Sequence, residues 1–425
     1  MTHALSLAEI AAKLQGYDPQ ALPAQDVLTF LSQLVTTATD AEEVNVFDAL
    51  GRVLSQDVIS PIDVPPHDNS AMDGFAFDAS QLQNHQALTL NVVGTALAGK
   101  AWQGQVQHGE CVKIMTGAIM PHGLDTVIPI ELCQSHTAHS IVIPAGVLKP
   151  GDNRRLRGED LKKGAPALQR GLRVTAAAAG LLASLGQPKV RVHQRLKVAY
   201  FSTGDEILSL GEAPREGAVY DSNRYTVHGM LQSLGCDMID MGVVRDEPLL
   251  LEEAFTQAAQ TADAIITSGG VSVGEADFTK AMMKKLGDVA FWKIAMRPGR
   301  PMAVGRITQG QKSAVLFGLP GNPVAVMVTF LAFVKPALLQ MMGCTDPAPP
   351  LVRAKTQELL RKKPGRTEYQ RGIASRTPTG ELQVVTTGNQ GSGVLSSMTQ
   401  ANCLIVLSHE QGTAQIGDWV DVLFL

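Results

Sequence analysis

Short apolar runs alternate with amphipathic stretches between about residues 195 and 343 of the chain. Strands buried on both faces of a sheet are apolar at nearly every position, so these runs predict parallel strands. The predicted strands are residues 196–201, 238–244, 264–267 and 314–317. Helices fit between them at residues 224–234, 248–260 and 278–286, and an antiparallel pair fits residues 289–296 and 301–306. The pattern is typical of an α/β domain whose ligands bind at the carboxyl ends of the strands.

The region before this domain shows a helical periodicity that is interrupted by a β-type segment. Apolar residues between positions 23 and 38 make one stripe on a helix, and a second helix is expected at residues 48–54. Residues 70–160 hold short β-type runs between glycines. A helical pattern returns at residues 174–185, and Gly186 is placed to end it. A small β-domain is therefore expected as an insertion between two helical pieces.

The C-terminal region shows only short alternating runs, which predict a separate β-domain. Together these patterns predict a multidomain α/β plus β protein. The expected domains are a discontinuous, mainly helical N-terminal domain (1–63 with 165–192), the inserted β-domain (64–164), the α/β domain (193–343) and the C-terminal β-domain (351–425).

Charge and cysteine usage narrow the class of protein. The chain carries 36 Lys and Arg against 40 Asp and Glu, a net charge of −4 that argues against nucleic-acid binding. Its longest apolar stretches are too short to span a bilayer, and its N-terminus lacks the pattern of a secretory signal. The 5 cysteines lack CxxC spacing, which favours reduced thiols. We expect a cytoplasmic protein with neither a membrane nor a nucleic-acid partner.

Two glycine-rich turns follow predicted strands of the α/β domain. In the sequence GLPGNP, Asn322 stands at an N-cap position and Pro323 at the first position of a helix. Such a helix start presents backbone amides to an anion, although an ordinary tight turn fits the spacing equally well. In TSGGVSVGEAD, Gly269 and Gly270 allow the backbone to approach a ligand closely. Two such turns at neighbouring strand ends favour a phosphorylated ligand.

Acidic residues follow the same strand ends, and they are Asp205, Glu206, Asp221, Asp246 and Asp277. Converging carboxylates beside phosphate loops are what Mg²⁺ needs, because it binds through one or two carboxylates together with water and phosphate. For Asp205 and Asp221 taken singly, the simpler interpretation as helix caps is favoured.

A basic set lies in the predicted antiparallel pair. Lys293, Arg297 and Arg300 flank Pro298-Gly299, and at one sheet edge they could clamp an oxyanion. A solvated charged hairpin fits the spacing equally well.

Several motifs, in order along nearly the whole chain, resemble those of the molybdopterin molybdenumtransferase (MoeA) family, which is related to the E-domain of gephyrin. They are DNSAMDGFAF (68–77), IMTGA (114–118), RGED (157–160), FSTGDE (201–206), YDSNR (220–224), TSGGVSVGEAD (267–277), GLPGNP (318–323) and PGR-x4-RG (364–372). The resemblance implies an elongated four-domain homodimer whose α/β domain is similar to molybdopterin adenylyltransferase. It also implies that molybdate is inserted into adenylylated molybdopterin in a Mg²⁺-dependent reaction that releases AMP.

The resemblance further assigns roles to individual residues. Residues of the small β-domain, contributed by the partner subunit, would close over the site, and these are Asp73, Thr116 and Asp160. The pterin nucleotide and Mg²⁺ would be bound by Glu206, Asp246 and Asp277, with Gly269, Gly270 and Ser272 in the adjacent turn. Molybdate or phosphate would be contacted by Lys293, Arg297, Arg371 and Ser392, with Pro320, Gly321, Asn322 and Pro323 shaping the anion loop.

One departure from the family pattern concerns the oxyanion contacts. Many relatives carry Lys where this chain has Arg297 and Arg300, so that a planar guanidinium replaces a point charge. Two other functions stay open: molybdopterin adenylyltransferase, which the α/β domain alone resembles, and a non-catalytic cofactor-binding scaffold. Expected partners are a second copy of the chain, molybdopterin adenylyltransferase, and other proteins of cofactor synthesis or delivery.

Overall fold

The computed structural model describes residues 5–83, 85–271 and 278–425. The chain divides into two compact units, each made of separate stretches of sequence. The larger unit contains the chain up to Gln56, Arg170–Thr175 and Lys189–Leu425. The smaller unit contains Asp57–Gln169 and Ala176–Pro188. The expected division into four domains is finer than these units and stays a prediction.

Within the described part of the chain, a six-stranded sheet forms the centre of the larger unit. In order across the sheet its strands are Asp237–Val244, Lys197–Thr203, Ala264–Ser268, Lys312–Leu319, Pro301–Gln309 and Gly287–Lys293. The first four strands are parallel, and the last two run antiparallel to their neighbours. The helices of this region are Ser222–Leu234, Pro248–Thr261 and Phe278–Leu286. The predicted strands, helices and antiparallel pair are confirmed, with ends shifted by a few residues.

Successive residues of the strand Lys197–Thr203 are buried on opposite faces of the sheet. Val198 and Tyr200 belong to one core, whereas Ala199 and Phe201 belong to a second core that includes residues of the helix Pro248–Thr261. Full burial of a large apolar side chain contributes about 1.5–3 kcal/mol, so these contacts fix the strand firmly. The residues that follow the strand are therefore held at the carboxyl edge of the sheet.

The N-terminal part of the larger unit is only partly helical. Its helices are Leu7–Lys13 and Ala24–Leu34, and its strand Ala41–Asn45 pairs antiparallel with Lys189–His193. The second helix predicted at residues 48–54 is wrong, because only Val46–Asp48 form a short 3₁₀ turn. Val53 and Leu54 form bridges with Arg173 and Val192 instead. Pairing with residues distant in sequence here overrides a weak helical pattern.

The smaller unit is built on a mixed sheet of its own, as the β-type runs predict. In order, its strands are Thr126–Pro129, Gly74–Phe77, Glu110–Ile114, Leu88–Ala96, Ser140–Ile143 and Ser135–His136. Its helix Ala176–Ser184 confirms the predicted return of helical structure. Gly186 follows the helix with φ of +69°, a conformation that favours glycine and ends the helix as expected.

The C-terminal region forms a closed β-barrel. Its strands are Val352–Thr356, Thr367–Arg376, Leu382–Thr386, Cys403–Leu407 and Trp419–Phe424. The barrel closes because Thr367–Arg376 pairs with both Leu382–Thr386 and Cys403–Leu407. The short strand Met296–Arg297 pairs with Thr367 and Glu368, which joins a loop of the α/β region to the barrel. The predicted C-terminal β-domain is confirmed, and its closure is an additional finding.

A long apolar helix follows the last parallel strand of the central sheet. It consists of α-helical Pro323–Thr329, a π-helical turn at Phe330–Val334, and α-helical Lys335–Met341. Within the described residues, Pro323–Met341 alone is long and apolar enough to cross a membrane, so the expectation that every apolar stretch is too short is wrong for this helix. Of its most apolar part, 72% is buried inside the fold. Such burial is typical of the core helix of a globular protein.

Candidate active site

The glycine pair after the strand Ala264–Ser268 lies in close contact with its neighbours. Gly269 and Gly270 have φ of +94° and +63°. A Cβ atom on Gly269 would lie 2.5 Å from the carbonyl oxygen of Thr203, and one on Gly270 would lie 2.5 Å from Cβ of Thr279. Only glycine fits this conformation and this spacing. Of the other residues predicted in this turn, Ser272 and Asp277 lie outside the described residues.

The second predicted turn, at Pro320–Pro323, is built as a helix start. Pro323 is the first helical residue and Asn322 occupies the N-cap position, although the Asn322 side chain makes no capping hydrogen bond. The amide of Val324 donates to the carbonyl oxygen of Ser392 at 3.2 Å. Asn223 Nδ2 donates to the carbonyl oxygen of Gly321 at 2.8 Å. The chain thus supplies its own acceptor for one amide of this helix start and ties the turn to the loop at Ser392 and to the helix Ser222–Leu234.

Asp246 joins two loops at the carboxyl edge of the sheet. Its backbone amide donates to Asp205 Oδ1 at 3.4 Å, and its Oδ1 accepts from Thr279 Oγ1 at 3.2 Å. Glu206 is exposed, and its carboxylate covers Gly204, with Oε2 2.6 Å from where a Cβ atom would lie. The structure therefore brings acidic residues from two neighbouring strand ends to one edge.

These acidic residues match the predicted metal site only in part. Across residues 5–83, 85–271 and 278–425, no three His, Cys, Asp or Glu side chains converge closely enough to hold a metal ion. The predicted set also includes Asp277, which lies outside those ranges. Glu206 and Asp246 still supply carboxylate oxygens, and Mg²⁺ requires only one or two carboxylates. The donors present therefore suit magnesium in their chemistry.

The two helix-cap interpretations have different outcomes. Asp221 Oδ1 accepts from the amide of Arg224 at 3.1 Å, so Asp221 caps the helix Ser222–Leu234 as predicted. Asp205 is not a cap, because no helix follows it before Ser222 in this continuously described stretch. Its carboxylate accepts from Asp246 instead. The cap interpretation of Asp205 is therefore wrong, and its carboxylate connects two loops.

One residue of the predicted basic set lines a cavity of about 260 Å³ at the barrel. Lys293 ends the strand Gly287–Lys293, and Arg297 and Arg300 follow it, all exposed. Of these three, Arg297 lines the cavity. The other lining residues are Pro298, Glu358, Leu359, Leu360, Arg361, Glu368, Tyr369, Gln370, Arg371, Thr386 and Gln390. The sequence predicted Arg297 and Arg371 as oxyanion contacts, and the fold brings both to one cavity.

Arg371 is fully buried, with 0% of its surface exposed. Its Nε donates to Ser397 Oγ at 2.9 Å, and its Nη1 donates to the carbonyl oxygen of Gln390 at 3.1 Å. Nη2 donates to the carbonyl oxygens of Asn389 and Gly391 at 3.0 and 2.9 Å. None of these acceptors is charged. Burial, and then the nearby positive charge of Arg297, lower the pKa of Arg371.

Three predicted site residues lie in the smaller unit. Asp73 Oδ1 accepts from both the amide and the hydroxyl of Thr116, each at 2.7 Å. These bonds, together with the charge of Lys113, hold the pKa of Asp73 below its usual range. Asp160 is exposed, and its amide donates to the carbonyl oxygen of Val64 at 3.1 Å. Asp73 and Thr116 therefore form a local pair, whereas the backbone of Asp160 bonds to Val64.

A polar group that the sequence did not reveal lies beneath the glycine turn. The hydroxyls of Tyr200, Ser202 and Ser268 are buried and bond to one another at 2.8–3.1 Å. Gln390, at the cavity, was also missed. The bonds of Tyr200 to Ser268 and of Gln390 to Arg371 join residues far apart in the chain. The alternation that places Tyr200 and Ser202 on one face of the sheet is the only sequence feature related to the hydroxyl group.

Two curated proteins that are similar to this chain are named molybdopterin molybdenumtransferase. The molybdopterin molybdenumtransferase of Haemophilus influenzae is 42% identical over 90% of this chain and 94% of its own length. That of a Nostoc species is 34% identical over 91% of this chain and 88% of its own. This chain belongs to the molybdopterin molybdenumtransferase (MoeA) family.

Family models match three stretches of the chain. The MoeA N-terminal region (domains I and II) matches residues 22–186, a probable molybdopterin binding domain matches residues 199–340, and the MoeA C-terminal region (domain IV) matches residues 353–425. A MoeA protein structure from Pyrococcus horikoshii aligns with a TM-score of 0.79 and 26% identity over 96% of this chain and 100% of that one. The predicted fold class and the family resemblance are confirmed. The protein is a MoeA-family transferase of molybdenum-cofactor biosynthesis.

Proposed function

We propose that this chain inserts molybdate into adenylylated molybdopterin in a Mg²⁺-dependent reaction that releases AMP and forms the molybdenum cofactor. Its curated relatives are named for molybdenum transfer to molybdopterin, and the model matched at residues 199–340 is a molybdopterin-binding domain. The single observation that carries the proposal is the pair of guanidinium groups, Arg297 and Arg371, at one cavity of the barrel.

The charges at this cavity favour an anion. A buried guanidinium is destabilising unless it is paired, and Arg371 bonds only neutral acceptors. Arg297 adds a second positive charge close enough to lower the pKa of Arg371. A tetrahedral dianion such as molybdate would be attracted by both groups.

Two carboxylates also line the cavity, but both already have donors. Glu368 accepts from Arg366 Nε at 2.8 Å and from Gln370 Nε2 at 3.0 Å. Glu358 accepts from the amide of Thr386. Against these two negative charges the cavity lining carries three guanidinium groups, those of Arg297, Arg361 and Arg371, so its formal net charge is +1. The cavity therefore keeps a net preference for an anion.

The proposed role of magnesium concerns the phosphoanhydride of the substrate and not molybdate. When bound, Mg²⁺ would neutralise negative charge on the phosphoanhydride that links AMP to molybdopterin. Glu206 and Asp246 are the described residues whose carboxylates would hold it. The turn at Gly269 and Gly270, which carries no side chains, would let the backbone approach the phosphates.

The proposal also concerns the location of the chain in the cell, its oligomeric state and the source of its substrate. We propose that the chain acts in the cytoplasm as a homodimer, and that it receives its substrate from molybdopterin adenylyltransferase. The family resemblance supports these statements. Light scattering of the purified chain would test the dimer, and a binding assay with adenylyltransferase would test the transfer.

The central experiment is a reconstituted assay with adenylylated molybdopterin, molybdate and Mg²⁺. We expect AMP release that depends on molybdate, and a product that activates an apo-molybdoenzyme. The control is the same mixture with Mg²⁺ chelated. Formation of adenylylated molybdopterin from ATP and molybdopterin would favour the adenylyltransferase alternative. Tight pterin-nucleotide binding without AMP release would favour a scaffold.

A further inference from the structure

We propose that Gln390 is a positioning residue for the oxyanion site, acting through a reciprocal clamp with Arg371. The inference rests on the proposed function, because it assigns the cavity beside Arg297 to molybdate. It adds a residue, Gln390, that the sequence motifs did not point to. Gln390 lines the cavity together with Arg297 and Arg371.

The clamp consists of hydrogen bonds in both directions. Gln390 Oε1 accepts from the amide of Arg371 at 2.8 Å, and Gln390 Nε2 donates to the carbonyl oxygen of Arg371 at 3.1 Å. In return, the Arg371 guanidinium donates to the carbonyl oxygens of Asn389, Gln390 and Gly391. Each residue thus binds the backbone of the other. A side-chain amide supplies both the donor and the acceptor that this geometry requires, which no hydrocarbon side chain can do.

The clamped loop leads directly to Ser392. One residue beyond Gly391, the carbonyl oxygen of Ser392 accepts the amide of Val324 at the start of the helix after GLPGNP. The loop is also held from its other side, because the amide of Thr387 donates to the carbonyl oxygen of Arg371 at 3.0 Å. A shift of this loop would therefore move Ser392 and the anion turn together.

The clamp also explains how Arg371 can affect an oxyanion without exposed surface. Its guanidinium is held by the loop and Ser397, so its charge is fixed behind the cavity wall. The exposed Arg297 remains available for direct contact. Releasing the loop would allow the Arg371 side chain to change orientation, and the cavity would lose part of its fixed positive charge.

Two substitutions of Gln390 test the clamp. Gln390→Met keeps the approximate volume but removes both hydrogen-bonding groups, and Gln390→Ala removes the whole side-chain amide. The matched control is Gln383→Ala, on the strand Leu382–Thr386, whose side chain bonds Ser375 Oγ at 3.3 Å and does not line the cavity. We expect the Gln390 variants to raise the KM for molybdate about tenfold, with the KM for adenylylated molybdopterin unchanged.

A second measurement does not depend on activity. Amide hydrogen exchange should become faster at residues 387–392 and at Val324 in Gln390→Met, but not in Gln383→Ala. A variant with wild-type exchange and a wild-type KM for molybdate would overturn the clamp. Loss of folded protein with an unchanged KM for molybdate in the remaining fraction would show a merely structural role and would also overturn it. If the wild type releases no AMP, the proposed function fails, while the exchange result still decides the clamp.

Discussion

Asp73 Oδ1 accepts two hydrogen bonds from Thr116, one from the backbone amide and one from the hydroxyl, each 2.7 Å long. The two residues belong to different family motifs, MDG and MTG, in one compact unit. The Thr116 bonds stabilise the ionised carboxylate of Asp73. The pair thus presents an oriented anionic oxygen.

The pKa of Asp73 should rise when the hydroxyl of Thr116 is removed. Thr116→Val keeps the amide bond, which is the largest cause of the lowered pKa, and deletes the hydroxyl bond, which is the second. Carboxyl NMR titration would measure the change. Asp78 serves as an internal control, because its pKa is lowered by Ser80. Equal pKa values of Asp73 in wild type and variant would contradict the assignment.

The same pair makes a small contribution to the acid stability of the protein. The folded pKa of Asp73 lies below the unfolded value of about 3.9, so the stabilisation is complete above that value. It is lost as the pH falls through the lower, folded pKa. Thr116→Val should therefore lower the free energy of unfolding near neutral pH and have less effect on it below both pKa values.

Asp246→Asn should lower turnover while leaving the fold intact. The substitution removes a negative charge from a carboxylate that accepts from Thr279 Oγ1, yet the amide oxygen can still accept that bond. Asp237→Asn is the matched control, since Asp237 is exposed at the opposite end of the same strand. We expect at least a tenfold loss of AMP release for Asp246→Asn and little change for the control. Wild-type turnover in Asp246→Asn would remove Asp246 from the metal site.

Two glycines with nearly the same φ allow the cost of backbone strain to be compared with the cost of steric contact. Gly270 and Gly310 have φ of +63° and +61°, but a Cβ atom meets Thr279 at Gly270 and nothing within 4 Å at Gly310. Gly310→Ala should cost about 1 kcal/mol through conformation alone. Gly270→Ala should cost about 1–3 kcal/mol more, because a packed neighbour must move. Denaturant unfolding of both variants measures the difference in the free energy of unfolding. Equal losses of stability would show that the Thr279 side chain moves away from the added methyl group at no cost.

The cysteines should differ in reactivity toward a thiol reagent. Burial raises the pKa of Cys111 and Cys236 to about 12 and that of Cys403 to about 11, so few of these thiols are thiolates at neutral pH. Cys344 is only partly buried and should be alkylated first. Mass spectrometry of the native protein would identify the order, with denatured protein as the control. Early labelling of Cys236 would show that its core opens.

The central sheet could be predicted from the sequence because its strands are buried on both faces. Runs such as Ala264–Ser268 are apolar enough to stand out in the sequence, and their flanking turns contain Gly and Asp. The helix expected at residues 48–54 does not form, because contacts with residues distant in sequence decide the structure there. Its residues are fixed by bridges to Arg173 and Val192, and no local pattern records such a partner.

The candidate site could be predicted by residue type but not by arrangement. Motifs pointed to Arg297 and Arg371, and the fold places both at one cavity. They gave no sign that Arg371 is fully buried and bound to a loop nearly twenty residues further along the chain. Three of the groups that hold its guanidinium are backbone carbonyls, which every sequence carries. Such contacts become visible only in three dimensions.

The interleaved order of the two units sets a sequence of events during synthesis. The strand Ala41–Asn45 leaves the ribosome early, but its partner Lys189–His193 is made only after the last residue of the smaller unit. Nascent chains fold by domains as they emerge, so the smaller unit can complete its sheet while the N-terminal strand is still unpaired. A chain that is released after residue 188 should therefore contain one folded body and an unprotected N-terminal segment that is a target for chaperones and proteases.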